Sequence, residues 1–286
     1  TDAVRLPIAG GILLGSGAVD VTATGGPSGT WRADITTTDI RAAQGSANTL
    51  TLSGTGVLAQ ADSGALVSLG GELTVSSTSL RLSDSRLSQA VGSAPTVTSD
   101  FDWEQTPERL TLKAVRLDTG SIDATGSAIV TDLLRAPDAQ FTLSLVADTL
   151  APLSGLAGQQ LRGQAVIDVN GTYRNGGMFD VTASGQGSGL SVSNPLIDAL
   201  LAGVTRFSAS ATGQNGALGR LSADVQNPAL SAKVSGPLSD LGISARLANV
   251  GLIAPDFQGP LLVDGTVQQR ATGYGIDVDL TGPGGI

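Results

Sequence analysis

Residues 205–234, TRFSASATGQNGALGRLSADVQNPALSAKV, decide the fold of this chain. An apolar side chain alternates with serine from Phe207 to Ala211, and the alternation resumes after Gln214-Asn215-Gly216 and again after Asn227-Pro228. Successive side chains of a β-strand point to opposite faces, so each run has one apolar and one polar face. Because turn residues separate the runs, the pattern predicts strands joined by hairpins, and it excludes a buried parallel sheet, whose strands are apolar throughout.

The same alternation extends over most of the chain. It recurs in Phe101–Trp103, Leu110–Leu112, Phe141–Leu145, Phe179–Ala183, Leu221–Val225, Leu230–Val234, Ile243–Leu247 and Ile276–Leu280. Thr106-Pro107-Glu108 and Asn175-Gly176-Gly177 separate neighbouring runs and are typical of turns. The sequence therefore predicts an all-β protein whose long antiparallel sheet curls along its length into an apolar groove.

One segment departs from this period. Asn194 is a typical helix cap, Pro195 suits the first helical position, and Gly203 suits the position just past the end. We therefore predict one short helix near 195–202. We expect residues 1–286 to form a single elongated segment cut from a longer chain, and no internal boundary is predicted.

The composition excludes most catalytic and metal-binding chemistry. The 286 residues include no Cys and no His, so there is no thiolate, no imidazole base and no Cys- or His-ligated metal. The 16 basic and 25 acidic side chains give a formal net charge of −9, without the basic clusters that nucleic acid requires. We predict a protein that is not an enzyme, with no cofactor, no metal site and no nucleic-acid partner.

The apolar side of the sheet has too little protein to cover it. Apolar residues make up 41% of the chain but aromatic residues only 3%, so this side consists mainly of Ala, Val, Leu and Ile. Such a surface suits alkyl chains, because each methylene moved out of water gains about 0.8 kcal/mol. The residues predicted to line this lipid-binding groove, here called the apolar face, are Phe101, Trp103, Leu110, Leu112, Phe141, Leu143, Leu145, Ala165, Ile167, Val169, Phe179, Val181, Ala183, Phe207, Ala209, Ala211, Leu221, Ala223, Val225, Leu230, Ala232, Val234, Ile243, Ala245, Leu247, Ile276, Val278 and Leu280.

Several segments resemble a known family. They are LAPLSGLAG at 150–158, LRGQA at 161–165, NGT at 170–172, the strand at 179–181, the helix at 196–203 and LTGPGG at 280–285. In these loose glycine and apolar spacings the chain is similar to the proteobacterial TamB-type, AsmA-like family, which comprises translocation and assembly module proteins with a repeating β-groove for bridge-like lipid transfer. The resemblance covers most of the chain.

The resemblance implies a periplasmic location for the chain. The full-length protein would be anchored in the inner membrane, reach the outer membrane and meet TamA, an Omp85-type barrel, through regions outside this segment. The implied ligand is phospholipid or another acyl-chain molecule. The implied roles are phospholipid transport between the two membranes and assembly of outer-membrane proteins, and no family catalytic residue exists to transfer.

Two other classes of protein remain open. One is a structural β-solenoid surface protein, such as an adhesin or an autotransporter passenger, with a core filled by its own side chains. Low charge and abundant Gly, Ser and Thr fit that class as well, but the irregular spacing of the turns disfavours it. A β-helical polysaccharide enzyme would need clustered Asp or Arg on one face, and the sequence has no such cluster, so this class ranks last.

Overall fold

The computed structural model describes residues 4–6, 12–133, 135–270 and 273–282. Within these residues the chain is all-β, with nineteen strands, three short α-helices and two 3-10 turns, at Ala151–Leu153 and Val250–Leu252. The strand pairs are antiparallel, so the predicted all-β fold class is confirmed. Contacts divide the chain into two compact units.

Unit 1 comprises Thr1–Ala147 and Pro152–Gly158. From β3 to β11 each long strand pairs with the next, and the two-residue β7 pairs with the start of β5. The elements are β1 (Val4–Leu6), β2 (Ile12–Leu14), β3 (Ser16–Ala23), β4 (Gly29–Ala42), β5 (Gly45–Gln60), β6 (Leu66–Thr78), β7 (Arg81–Leu82), α1 (Ser85–Val91), β8 (Thr96–Gln105), β9 (Glu108–Asp118), β10 (Ile122–Thr131), β11 (Asp138–Ala147) and α2 (Ser154–Ala157).

Unit 2 comprises Asp148–Ala151 and Gln159–Ile286. It is a meander in which each strand pairs with the next along the chain. The elements are β12 (Arg162–Arg174), β13 (Met178–Ser191), α3 (Pro195–Leu200), β14 (Val204–Gln214), β15 (Ala217–Gln226), β16 (Leu230–Pro237), β17 (Asp240–Leu247), β18 (Leu261–Arg270) and β19 (Gly273–Thr281).

The hairpins form where the turn residues predict them. Asn175-Gly176-Gly177 joins β12 to β13, and Asn215-Gly216 joins β14 to β15. Asn215 and Gly216 have φ of 53° and 72°, the left-handed pair that a two-residue hairpin needs. The predicted turn at Thr106-Pro107-Glu108 joins β8 to β9. Local turn chemistry therefore sets the order of the strands.

The predicted helix near 195–202 is confirmed as α3, and the structure adds α1 and α2. The Asn194 side chain accepts hydrogen bonds from the backbone N–H groups of Leu196 and Ile197, as a helix cap does. At α1, Asp84 plays the same part by accepting from Arg86 N–H. The guanidinium of Arg86 beside it lowers the pKa of the Asp84 carboxyl.

Few side chains are buried. Most of the buried ones lie near the strand ends that the short helical segments connect. In the described residues eight apolar side chains are buried, and five of these are alanines. In unit 1, Ile122 and Ala147 face each other where β10 begins and β11 ends. An ordinary domain buries its large aliphatic residues, whereas this chain leaves most of them accessible to solvent.

Candidate functional site

The strand register brings the predicted lining residues onto one face within each unit. In unit 1, Phe101 of β8 lies opposite Leu112, and Ala128 of β10 lies between Leu112 and Phe141. In unit 2, one row crosses all eight strands in the order Val169, Ala183, Ala209, Ala223, Val234, Ile243, Gly265 and Val278. The intervening residues form the opposite, polar face. Each unit therefore has a continuous apolar surface of small and branched side chains.

Most of the predicted lining residues are neither buried nor fully exposed. Of the 28 side chains, 22 are half-buried. This is the exposure expected of side chains that contact their neighbours on the same sheet face and have nothing packed over them. Ala165 and Leu247 are buried at 6% exposure each. Leu143 and the three residues of β19, Ile276, Val278 and Leu280, are exposed. The apolar face is thus covered at a few positions and accessible to solvent along most of its length.

The covered part of unit 2 lies where α3 and the loop after β15 meet. Thr205, at the start of β14, is only 2% exposed. The Asn227 side-chain amide donates to the Leu200 carbonyl at 2.6 Å and to the Thr205 hydroxyl at 3.2 Å. Its oxygen accepts from the backbone N–H groups that begin the next strand. One side chain therefore fixes the end of α3 to the ends of the strands.

Helix α3 is held to the end of β13 by hydrogen bonds rather than by burial of its own apolar residues. The Asp198 carboxylate accepts from the Val192 backbone N–H and from the Ser191 hydroxyl, both at 2.8 Å. These hydrogen bonds, that from Val192 first, lower the pKa of Asp198. Leu196 and Ile197 of the same helix are exposed. The helix therefore covers a strand end without filling the apolar face.

The structure shows a pairing of aromatic rings with glycines that sequence reasoning missed. Phe207 lies opposite Gly185 and Phe179 lies opposite Gly213. A Cβ at Gly185 would lie 2.8 Å from Phe207 Cζ, and one at Gly213 would collide with the Phe179 ring. A glycine within a strand usually predicts a bend or a bulge. Here the absence of a side chain leaves space for the aromatic ring to lie against the strand. An aromatic residue directly opposite a glycine on the neighbouring strand is the signal of this contact.

Trp31 also lies against glycines, in unit 1. Its ring lies over Gly54 and Gly56 of β5, and its Nε1 donates to the Gly70 carbonyl on β6 at 3.0 Å. The ring centroids of Trp31 and Phe101 are 6.0 Å apart, although β5 and β6 lie between their strands. Trp31 thus covers part of the apolar face itself, and Trp103 lies half-buried opposite Leu69 and Leu110.

The polar faces carry no arrangement for catalysis among the residues that the structure describes. In unit 2 a depression of about 300 Å³ is lined by Asn170, Thr182, Ala183, Ser184, Ser208, Ala209, Ser210 and Ser222, with no charged group. In unit 1, Lys113 forms an ion pair with Asp102, which raises the pKa of Lys113. Within the described ranges no group of three or more acidic residues is placed to hold a metal ion.

No helix in the described part of the chain has the length and apolar character needed to cross a membrane.

Comparisons with protein-family models, with curated proteins and with solved structures gave no match.

Proposed function

We propose that this chain is a periplasmic segment of a TamB-like bridge whose apolar face holds acyl chains and conveys phospholipid between the inner and outer membranes. In this role it would support outer-membrane protein assembly together with a TamA-type barrel. The proposal assigns no catalytic residue and no cofactor. The ligand is a phospholipid or another molecule with a long alkyl chain.

The uncovered apolar face is the observation that carries the proposal. A sheet with one apolar face must cover it, usually with a second sheet or with helices. The three α-helices of the described chain have seven, four and six residues, and α3 leaves its own Leu196 and Ile197 exposed. The remaining way to cover the apolar face is to bind a ligand that itself has an apolar surface.

The side chains of the apolar face suit an alkyl chain in particular. The row from Val169 to Val278 contains only aliphatic residues and glycine, so nothing on it requires a hydrogen bond from the ligand. About a dozen buried methylenes would contribute about 10 kcal/mol before the cost of ordering the ligand. Because neighbouring positions on the row are alike, an acyl chain could shift along it without having to leave a deep energy minimum.

The alternative, a structural β-solenoid with a self-filled core, fits the observed strand pairing and burial less well. A β-solenoid stacks parallel rungs around an interior packed with its own side chains. The strand pairs here are antiparallel, and the buried apolar side chains are few and small. Both observations favour the lipid-holding function.

Lipid that copurifies with the protein tests the proposal. The chain would be expressed in a Gram-negative host, purified without detergent and examined intact by native mass spectrometry and, after solvent extraction, by thin-layer chromatography. We expect phospholipid bound to the folded protein. Protein that is reproducibly free of lipid and does not take up added phospholipid would contradict the proposal.

A further inference from the structure

The apolar face of unit 2 is covered by protein at one end of its strands. Among the residues of unit 2 that the structure describes, four are buried, and each lies close to a strand end that a helical segment precedes or follows. These strand ends, which include those joined by residues 192–203 and 248–260, are here called the helix-bearing rim. The four buried residues are Ala165, Gly187, Thr205 and Leu247, of which the first three lie side by side on β12, β13 and β14.

Side chains of the chain itself form this cover. Leu190 lies over Gly187, where a Cβ would be only 2.8 Å from Leu190 Cδ2. The Asn227 amide donates to the Thr205 hydroxyl and to the Leu200 carbonyl at the end of α3. Because these contacts tie the strand ends to the connecting segments, a molecule on the apolar face would have to break them to extend past the helix-bearing rim.

The opposite strand ends leave the apolar face open. They are joined by the tight turns at 175–177 and 215–216 and are here called the hairpin rim. Tyr173, on the apolar face opposite Phe179, is 42% exposed. No residue of either turn is buried. A molecule bound to the apolar face can therefore extend into water past the hairpin rim without displacing any part of the chain.

The distance from the covered row to the hairpin rim fits an acyl chain. A strand rises about 3.3 Å per residue, so Ile167 and Tyr173 on β12 are about 20 Å apart. Half of the hydrocarbon core of a bilayer, which the acyl chains of one leaflet fill, is about 15 Å thick. The residues of this face between them, Val169 and Gly171, have no polar side chain. An acyl chain can therefore lie along the strands between the two rims.

The hairpin rim carries groups that suit a phosphate. Arg174, the last residue of β12, is exposed, and none of the ion pairs between described residues involves it. A guanidinium group can bind two phosphate oxygens through parallel hydrogen bonds. Tyr173 beside it combines an apolar ring with a polar hydroxyl, which suits a position where an apolar region meets water.

The cations of the helix-bearing rim are less suitable partners for a lipid phosphate. Arg206 precedes Phe207 and Arg246 follows Ala245, so both arginines lie on the polar face. Thr205 and Leu247, next to them along their strands, belong to the covered row. A lipid whose acyl chain lies on the apolar face would therefore have to pass the covered row to reach either guanidinium.

From these observations we infer that a phospholipid on the apolar face of unit 2 lies along the strands, with its acyl chain ends toward the helix-bearing rim and its phosphate at the hairpin rim beside Arg174. The inference rests on the proposed function and adds the orientation of the ligand and a residue that recognises its head group. In this orientation the head group stays in water while the acyl chains shift from strand to strand across the apolar row.

Two photoreactive forms of phosphatidylglycerol test this orientation on the complete chain. One carries a diazirine in the head group and the other carries it at the end of an acyl chain. Protein loaded with each lipid would be irradiated, digested and mapped by mass spectrometry. We expect the head-group probe to label residues 172–179 and the chain-end probe to label residues 165–169 or 205–209. Exchanged labelling, or equal labelling of both ends by both probes, would overturn the inference while the proposed function stands. Failure of both lipids to bind would overturn both.

Arg174→Gln should weaken the binding of phosphatidylglycerol about threefold, as loss of one exposed charge pair does. It should not change the binding of a diacylglycerol with the same acyl chains, because that molecule has no phosphate. Arg206→Gln, at the helix-bearing rim, is the matched control and should leave the binding of both molecules unchanged. Competition against a phospholipid with a fluorescent acyl chain would measure these affinities. The inference is wrong if the two variants bind phosphatidylglycerol alike, or if Arg174→Gln weakens diacylglycerol binding equally.

Discussion

Ala209→Asp should reduce uptake of a phospholipid with a fluorescent acyl chain about 30-fold while leaving the sheet intact. Ala209 lies in the middle of the apolar row of unit 2, opposite Ala183 on one side and Ala223 on the other. A carboxylate there would have to lose water when an alkyl chain covers it, at a cost of about 2 kcal/mol, which is roughly 30-fold in affinity. Because the site is half-buried rather than packed, the free protein can keep this carboxylate hydrated.

The matched control for this prediction is Ser210→Asp. Ser210 follows Ala209 on the same strand, lies on the polar face and is opposite Thr182 and Ser222, so the new charge has no charged residue directly opposite it. It should leave lipid uptake unchanged, and circular dichroism should show the same strand content for both variants. Two results would contradict the account: normal uptake by Ala209→Asp, or loss of its strand signal, which would show that Ala209 belongs to a packed core.

Gly56→Ala should strongly destabilise unit 1. The new Cβ would collide with the Gly70 carbonyl oxygen and would lie 2.6 Å from Trp31 Nε1, where the ring now lies against the strand. Backbone cannot move aside as a flexible side chain can, so we expect a loss of about 3 kcal/mol. Urea unfolding followed by tryptophan emission should show the midpoint fall by about 1–2 M.

Tryptophan emission reports unit 1 alone, because both tryptophans, Trp31 and Trp103, belong to it. Gly17→Ala, in β3 of the same unit, is the control, since a Cβ there meets nothing closer than the methyl group of the Thr37 side chain at 3.3 Å. It should change the stability of the chain little. A Gly56→Ala protein as stable as the parent would show that the packing of the Trp31 ring does not require glycine at position 56.

The alternation of side chains was sufficient to predict the faces of the sheet. Because the side-chain period of a strand is two, any run that alternates assigns its own faces without knowledge of its partners. All the lining residues predicted in β12 to β19 consequently share one face, although no pairing was known. Turn residues with a fixed conformational preference, such as Asn215-Gly216, then set which strands are neighbours.

What the sequence did not predict depends on contacts between distant residues. Ala165 is buried and Val169 is half-buried, although both alternate with polar residues in the same way, so the alternation alone does not predict which residues are covered. The position of the Trp31 ring depends on glycines in another strand. The strand register must therefore be known before the contact between Trp31 and these glycines can be recognised. Helix α1 had a readable signal, Asp84 before it and Gly92 after it, but the segment is too short for a periodic pattern.

Photo-crosslinking at two adjacent positions of β15 tests most directly whether an acyl chain occupies the apolar face. A benzophenone amino acid would replace Leu221, on the apolar face between Ala211 and Gly236, or Arg220, on the polar face. The small neighbours of Leu221 leave room for the larger group. The account predicts that, after irradiation in cells, phospholipid is attached at position 221 and not at 220. Attachment of position 221 to protein in place of lipid, or equal labelling at both positions, would contradict it.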